Sequence, residues 1–154
     1  MHRFFRGVIF LMPKPTKITV RYAETDRMGV VYHANYLVWF DVARTEFLQE
    51  LGFPYDKIEE QGYMAPVLEA HVNYGQSFTF GDTALIIVSI TKLTPVKVKY
   101  SYKVYKEGDD LEGKPRLTGY TMHCLVRSDT FKPVSQKKVM PALFSMYQKL
   151  LEEE

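Results

Sequence analysis

The chain has 154 residues, enough for one domain with one sizeable core. A hydrophobic fraction of 46% and a charged fraction of 25% are those of a soluble globular protein, and a net charge of +2 is too small to argue for nucleic acid. Cys124 is the only cysteine, which excludes an intrachain disulfide and a thiolate metal cluster and fits a reducing, cytoplasmic setting.

The aromatic fraction of 14%, with 11 Tyr and 10 Phe, favours a large sheet and subunit contacts. Residues 1–15 read as an N-terminal extension. Arg3, Arg6 and the apolar run Gly7–Met12 faintly resemble the start of an export signal, but Pro13-Lys14-Pro15 follows where a small-residue cleavage site belongs. The run is too short to span a bilayer. The preferred reading is a segment outside the core, or an upstream start codon with Met12 as the first residue. Residues 16–154 read as a single domain.

Lys17–Ala23 alternates as a strand, with Ile18, Val20 and Tyr22 on one face. Asp26 and Gly29 then make a turn. Asn35 is a candidate N-cap for a helix over Tyr36–Leu51 that ends at Gly52. Its Tyr36, Trp39, Phe40, Ala43, Phe47, Leu48 and Leu51 recur at spacings of three and four, so one broad face requires a sheet. Phe53–Gly62 is a loop with a short helical turn. Strands follow over Val67–Tyr74, Thr83–Thr91, Val96–Lys106 and Arg116–Arg127. In the third of these, Val96, Val98, Tyr100, Tyr102 and Val104 oppose Lys97, Lys99, Ser101 and Lys103. Thr83–Thr91 is apolar on both faces, which implies a second layer or a partner subunit behind it. Pro141 opens a short C-terminal helix to Glu152. One long helix followed by antiparallel strands is an α+β layout, with the sheet wrapped around the helix.

Asp26, in the turn before the long helix, is the leading candidate for chemistry. A carboxylate there either acts as general base on water or attacks a carbonyl directly; the alternative is an Asx-turn residue bonding its own backbone. His33 stands at the mouth of the helix, where its backbone N–H is one of the free donors able to hold a developing oxyanion. Its side chain either orients water or substrate, or simply starts the helix. Tyr22, at the end of the strand, bonds the carboxylate, lines the pocket or, the preferred reading, belongs to the core. Glu24 reads as a solvated turn charge. Glu69 and His71 share a strand face and form either an acid/base pair or, the preferred reading, a surface pair. His123 reads as an isolated strand histidine, and Lys132, Lys137 and Lys138 as a solvated charge run. Tyr63, Met64, Phe78 and Phe80 are candidates to line a pocket. The four His lack zinc-pair spacing, and there is no G-x-S-x-G elbow, G-x-G-x-x-G or phosphate loop.

The string Val20-Arg21-Tyr22-Ala23-Glu24-Thr25-Asp26-Arg27-Met28-Gly29-Val30-Val31-Tyr32-His33-Ala34-Asn35-Tyr36, continuing to Arg44, resembles the hotdog-fold acyl-CoA thioesterases. More narrowly, it resembles the 4-hydroxybenzoyl-CoA thioesterase family and its YbgC-like branch. The resemblance extends from about Thr16 to Ser128 through Pro66–Ala70, Tyr74 and the Gly81-Asp82 turn. It implies a long central helix wrapped by a five- or six-stranded antiparallel sheet, in subunits that form dimers or tetramers with sites at the dimer interface. It also implies Asp26 as the catalytic carboxylate, His33 as the source of the oxyanion N–H, Tyr22 and His33 as side chains at the site, and Gly29 as the turn glycine. No metal or other cofactor is implied. The substrate class is acyl-CoA, with its phosphates near surface basic residues; acyl carrier protein is an alternative carrier, and a non-catalytic acyl-thioester binding module an alternative function. A hotdog dehydratase fits less well, because its acid/base pair has no place on the long helix. The chain departs from the family at Gly75–Phe80, where a small residue and a proline are usual.

Overall fold

The computed structural model describes residues 13–152 and, for the backbone alone, two N-terminal strands. These are β1 (His2–Phe5) and β2 (Val8–Leu11), which pair antiparallel. The export and start-codon readings rest on residues 1–12, whose side chains lie outside the described residues. The main sheet is antiparallel throughout. It runs in the order β3 (Thr16–Thr19), β6 (Thr83–Leu93), β7 (Lys97–Lys106), β8 (Leu117–Arg127), with β5 (Val67–Asn73) on the far side of β8. Two short strands, β4 (Tyr63–Met64) and β9 (Pro133–Val134), also pair with β8. The helices are α1 (Asn35–Glu50), α2 (Tyr55–Glu60), α3 (Gln136–Val139) and α4 (Pro141–Leu150).

The core forms where α1 lies on the concave face of the sheet. Tyr36, Trp39, Phe40, Ala43, Phe47 and Leu48 are buried there, one stripe at helical spacing. The sheet answers with Ala84, Ile86, Val88 and Ile90 from β6 and Val98, Tyr100, Tyr102 and Val104 from β7, the alternate residues of each strand. Phe40 stacks flat on Tyr102, with ring centroids 4.2 Å apart and planes 3° from parallel. Gly119 on β8 makes that approach feasible, since a Cβ there would stand 2.5 Å from the Phe40 ring and 2.4 Å from the His71 carbonyl oxygen. At the other end of the helix α4 closes the core with Leu143, Phe144, Tyr147 and Leu150. Pro141 is its first residue, where the missing N–H costs nothing.

The α+β arrangement is as expected, and four details differ. The first strand of the domain ends at Thr19, because the Glu24 N–H bonds back to the Arg21 carbonyl and winds Tyr22–Glu24 into a 3₁₀ turn. Asn35 is the first residue of α1 rather than its cap; its side chain is committed elsewhere, as described below. The last helix stops at Leu150, and Leu151 bridges to Ile90. Val96, expected on β7, precedes it and is exposed. The outward residues Leu85 and Ile87 of β6 are half-buried.

Candidate active site

The segment from Glu24 to His33 is a small hairpin set against the start of α1. Thr25 bridges Val31, the Asp26 N–H donates to the Val30 carbonyl at 2.8 Å, and the Gly29 N–H returns to the Asp26 carbonyl at 3.0 Å. Gly29 turns the chain with φ +80°, a left-handed conformation that side chains resist. The outgoing limb is stitched to the loop before β6, with Val31 N–H on the Phe78 carbonyl at 2.9 Å and Val30 bridged to Thr79. That stitching brings Gln76 and Ser77 opposite Asp26 and His33.

Asp26 does two things at once. Its Oδ1 accepts the Met28 N–H at 2.8 Å, which is the Asx-turn, while Oδ2 has no protein partner among the described residues. The half-buried side chain borders a cavity of about 160 Å³ whose wall includes His33, Tyr36, Tyr74, Gln76 and Ser77. At the same cavity the chain enters α1. Among the described residues the His33 and Ala34 N–H groups donate to no protein acceptor, so the positive end of a 16-residue helix is presented there. The His33 carbonyl is held by the Tyr74 hydroxyl at 3.0 Å. The exposed His33 ring lies against Tyr32 and Tyr74, with centroids at 4.4 and 6.3 Å. Burial pushes the Tyr36 phenol above its ordinary pKa, so it stays neutral at the back of the cavity.

Tyr22 is not brought to this cavity. The 3₁₀ turn swings it outward to 77% exposure, where it meets Phe80 edge to face at 5.7 Å. Of the residues considered for an acyl pocket, Phe78 is fully buried in the core and Phe80 is exposed. Neither of these, nor Tyr63 or Met64, borders the cavity beside Asp26.

Glu24 is the largest correction. It is not solvated but 6% exposed, and it is the hub of the turn. Its Oε2 accepts the Trp39 indole N–H at 2.7 Å, and its Oε1 accepts the Arg21 N–H and Nε at 2.9 and 3.2 Å. Burial raises its pKa, yet these donors together hold the carboxyl below the usual range, so it is ionised. The signal available in the sequence was Trp39: an indole on the buried face of α1 needs an acceptor from outside the helix.

The remaining candidates lie elsewhere. His71 stacks on Tyr120 at 5.3 Å, and no ion pair joins it to Glu69 among the described residues. His123 is buried under Tyr100, with Nδ1 near the Ala65 carbonyl and Nε2 2.9 Å from Thr121 Oγ1; burial and the nearby Arg44 charge lower its pKa to about 4. Among the described residues no three His, Cys, Asp or Glu stand close enough to hold a metal, and no helix is long and apolar enough to cross a membrane.

The model of the thioesterase-like superfamily matches residues 20–145, which include the whole hairpin, α1 and the sheet beyond β3. The chain belongs to that superfamily. It is 38% identical over 133 residues to a putative acyl-CoA thioesterase, YneP, of Bacillus subtilis, covering 86% of this chain and 94% of that protein. It is 33% identical to a putative esterase of Aquifex aeolicus, over 76% of this chain and 88% of that one. Among solved structures, a DHNA-CoA thioesterase from Staphylococcus aureus superposes with a TM-score of 0.81 at 36% identity, covering 88% of this chain and 89% of the other. The curled antiparallel sheet around α1 is thus the hotdog fold.

Proposed function

We propose that this chain is an acyl-CoA thioesterase that hydrolyses the thioester to a free acid and coenzyme A. The observation that carries the reading is the meeting, at one cavity, of a carboxylate with one oxygen unbonded among the described residues and the His33 and Ala34 amides, likewise unbonded, just ahead of α1. The family and the relatives named above support the same class.

In this reading the thioester carbonyl oxygen lies at the His33 N–H, which stabilises the oxyanion as it forms; losing one such donor typically costs about 3 kcal/mol of barrier. Asp26 acts by one of two routes. As general base it takes a proton from water as the water oxygen bonds to the carbonyl carbon; the intermediate then collapses, the C–S bond breaks, and the thiolate of coenzyme A leaves. As nucleophile its free oxygen forms a mixed anhydride and expels the thiolate, and water then cleaves the anhydride. A thioester is electrophilic enough that neither route calls for a metal. Tyr74 and Tyr36 form the wall around the reacting group.

The active unit in this reading is a homodimer or tetramer. β5 pairs with β8 alone among the described residues, and Val67 and Leu68 on it are 50% and 46% exposed, which suits pairing with another copy. The free, buried Cys124 suits a reducing cytoplasm.

The test is thiol release from short, long and aromatic acyl-CoAs, with Cys124→Ala in the background so that the reagent reports only coenzyme A. Hydrolysis of at least one of them is expected, and the panel then names the acyl class. Acyl-CoA binding without turnover would overturn the thioesterase reading in favour of a carrier-protein substrate or a binding module.

A further inference from the structure

We infer that Glu24 is a positioning residue for the Asp26–His33 site, tying both limbs of the hairpin to the first turns of α1. The inference rests on the functional reading above. Glu24 does not border the cavity, so it acts through other residues. Its backbone carbonyl accepts the Tyr32 N–H at 2.8 Å, on the limb that leads to His33, and the Asn35 Nδ2 at 2.9 Å, from the first residue of α1. Its carboxylate reaches Trp39, a turn further along the same helix, at 2.7 Å. Asp26 follows two residues later on the incoming limb. One residue therefore grips the limb that carries the carboxylate, the limb that leads to the oxyanion N–H, and the helix whose dipole serves that N–H.

The choice of a carboxylate matters. A neutral acceptor would satisfy an indole N–H, and the partner Arg21 is itself 76% exposed and worth little to stability. What an ionised acceptor adds is short, charge-assisted and directional bonding, which fixes geometry. Catalysis by a pre-placed base and donor is sensitive to that, since misplacement of about 1 Å costs on the order of 100-fold in rate.

Glu24→Gln keeps the shape and one acceptor oxygen but loses the charge and presents an NH₂ group to donors. Asn35→Asp attacks the same tie from the other side, replacing the amide donor to the Glu24 carbonyl with a carboxylate. Both variants are measured for kcat, KM and thermal midpoint, beside wild type and Asp26→Asn. The expected result is a kcat lower by about 10- to 100-fold in Glu24→Gln, a smaller fall in Asn35→Asp, and KM nearly unchanged in both, at a temperature where each is folded. If Glu24→Gln does not fold, Asn35→Asp carries the test. A lowered thermal midpoint with wild-type kcat would overturn the positioning role and leave Glu24 merely structural. Wild type inactive on every thioester, or Asp26→Asn as active as wild type, would overturn the functional reading and this inference with it. An active wild type and an inactive Asp26→Asn beside a fully active Glu24→Gln and Asn35→Asp would overturn this inference alone.

Discussion

Two charges are buried against α1, one beside its first turns and one further along it, and in opposite ways. At the start Glu24 meets donors at both carboxylate oxygens, from Trp39 and Arg21. Further along, Arg44 is 9% exposed, yet its Nε–H has no partner among the described residues and its nearest carboxylate oxygen, on Asp41, is 3.5 Å away. Its guanidinium lies instead by the rings of Tyr55 and Tyr100, at 5.7 and 6.0 Å from their centroids. Around it the hydroxyls of Tyr100 and Tyr147 bond each other, and burial pushes both phenols up, Tyr147 to about 12. A fully bonded buried charge fixes geometry; an incompletely bonded one is a cost that the surrounding aromatic packing offsets. The first kind stands at the candidate site, the second away from it.

That contrast can be broken by substitution. The largest effect on stability is expected at Gly119, whose replacement by Ala would set a Cβ against Phe40 and the His71 carbonyl and disturb the contact between α1 and the sheet. Because backbone is involved and cannot yield, we expect a loss of about 3 kcal/mol or more, read by urea unfolding. Glu24→Leu comes next. It leaves the Trp39 N–H buried without an acceptor, for a loss of about 2–3 kcal/mol.

His123 sharpens the comparison through pH. Its ring is neutral in the native state down to about pH 4, whereas the unfolded ring takes up its proton near pH 6.5. Between these values the unfolded chain binds more protons, so stability falls as pH is lowered, by up to about 3 kcal/mol. His123→Gln should remove most of that slope, measured as the unfolding midpoint against pH. Arg44→Met should have the smallest effect, within about 1 kcal/mol of wild type, since losing a partly unbonded buried cation also removes its desolvation cost. A loss as large as that of Glu24→Leu would mean that the two buried charges are equivalent after all.

The legible parts of this chain are those where one period governs. The alternation along β7 and the three–four spacing on α1 marked the residues that meet in the core, and Asp26 before Gly29 marked the turn. Tyr22 continued the alternation of Ile18 and Val20 on paper. The chain nevertheless leaves the strand beforehand, because a hydrogen bond from Glu24 to Arg21 winds the turn. Glu24 reads as a solvated charge because its buried partner, an indole, lies 15 residues away. Gln76 and Ser77 carry no local signal for a site. They reach the cavity through the pairing of Val31 with Phe78 and of Val30 with Thr79, which no local pattern encodes.

The role of Asp26 as the reacting carboxylate is read from the kcat of Asp26→Asn on the best acyl-CoA substrate. Asn keeps an oxygen for the Met28 N–H, so the Asx-turn and the hairpin should survive while the free carboxylate oxygen is lost. A fall of about 10²- to 10⁴-fold is expected, with an unchanged thermal midpoint and unchanged substrate binding. Turnover at the wild-type rate by a folded Asp26→Asn would contradict it and place the chemistry elsewhere in the molecule.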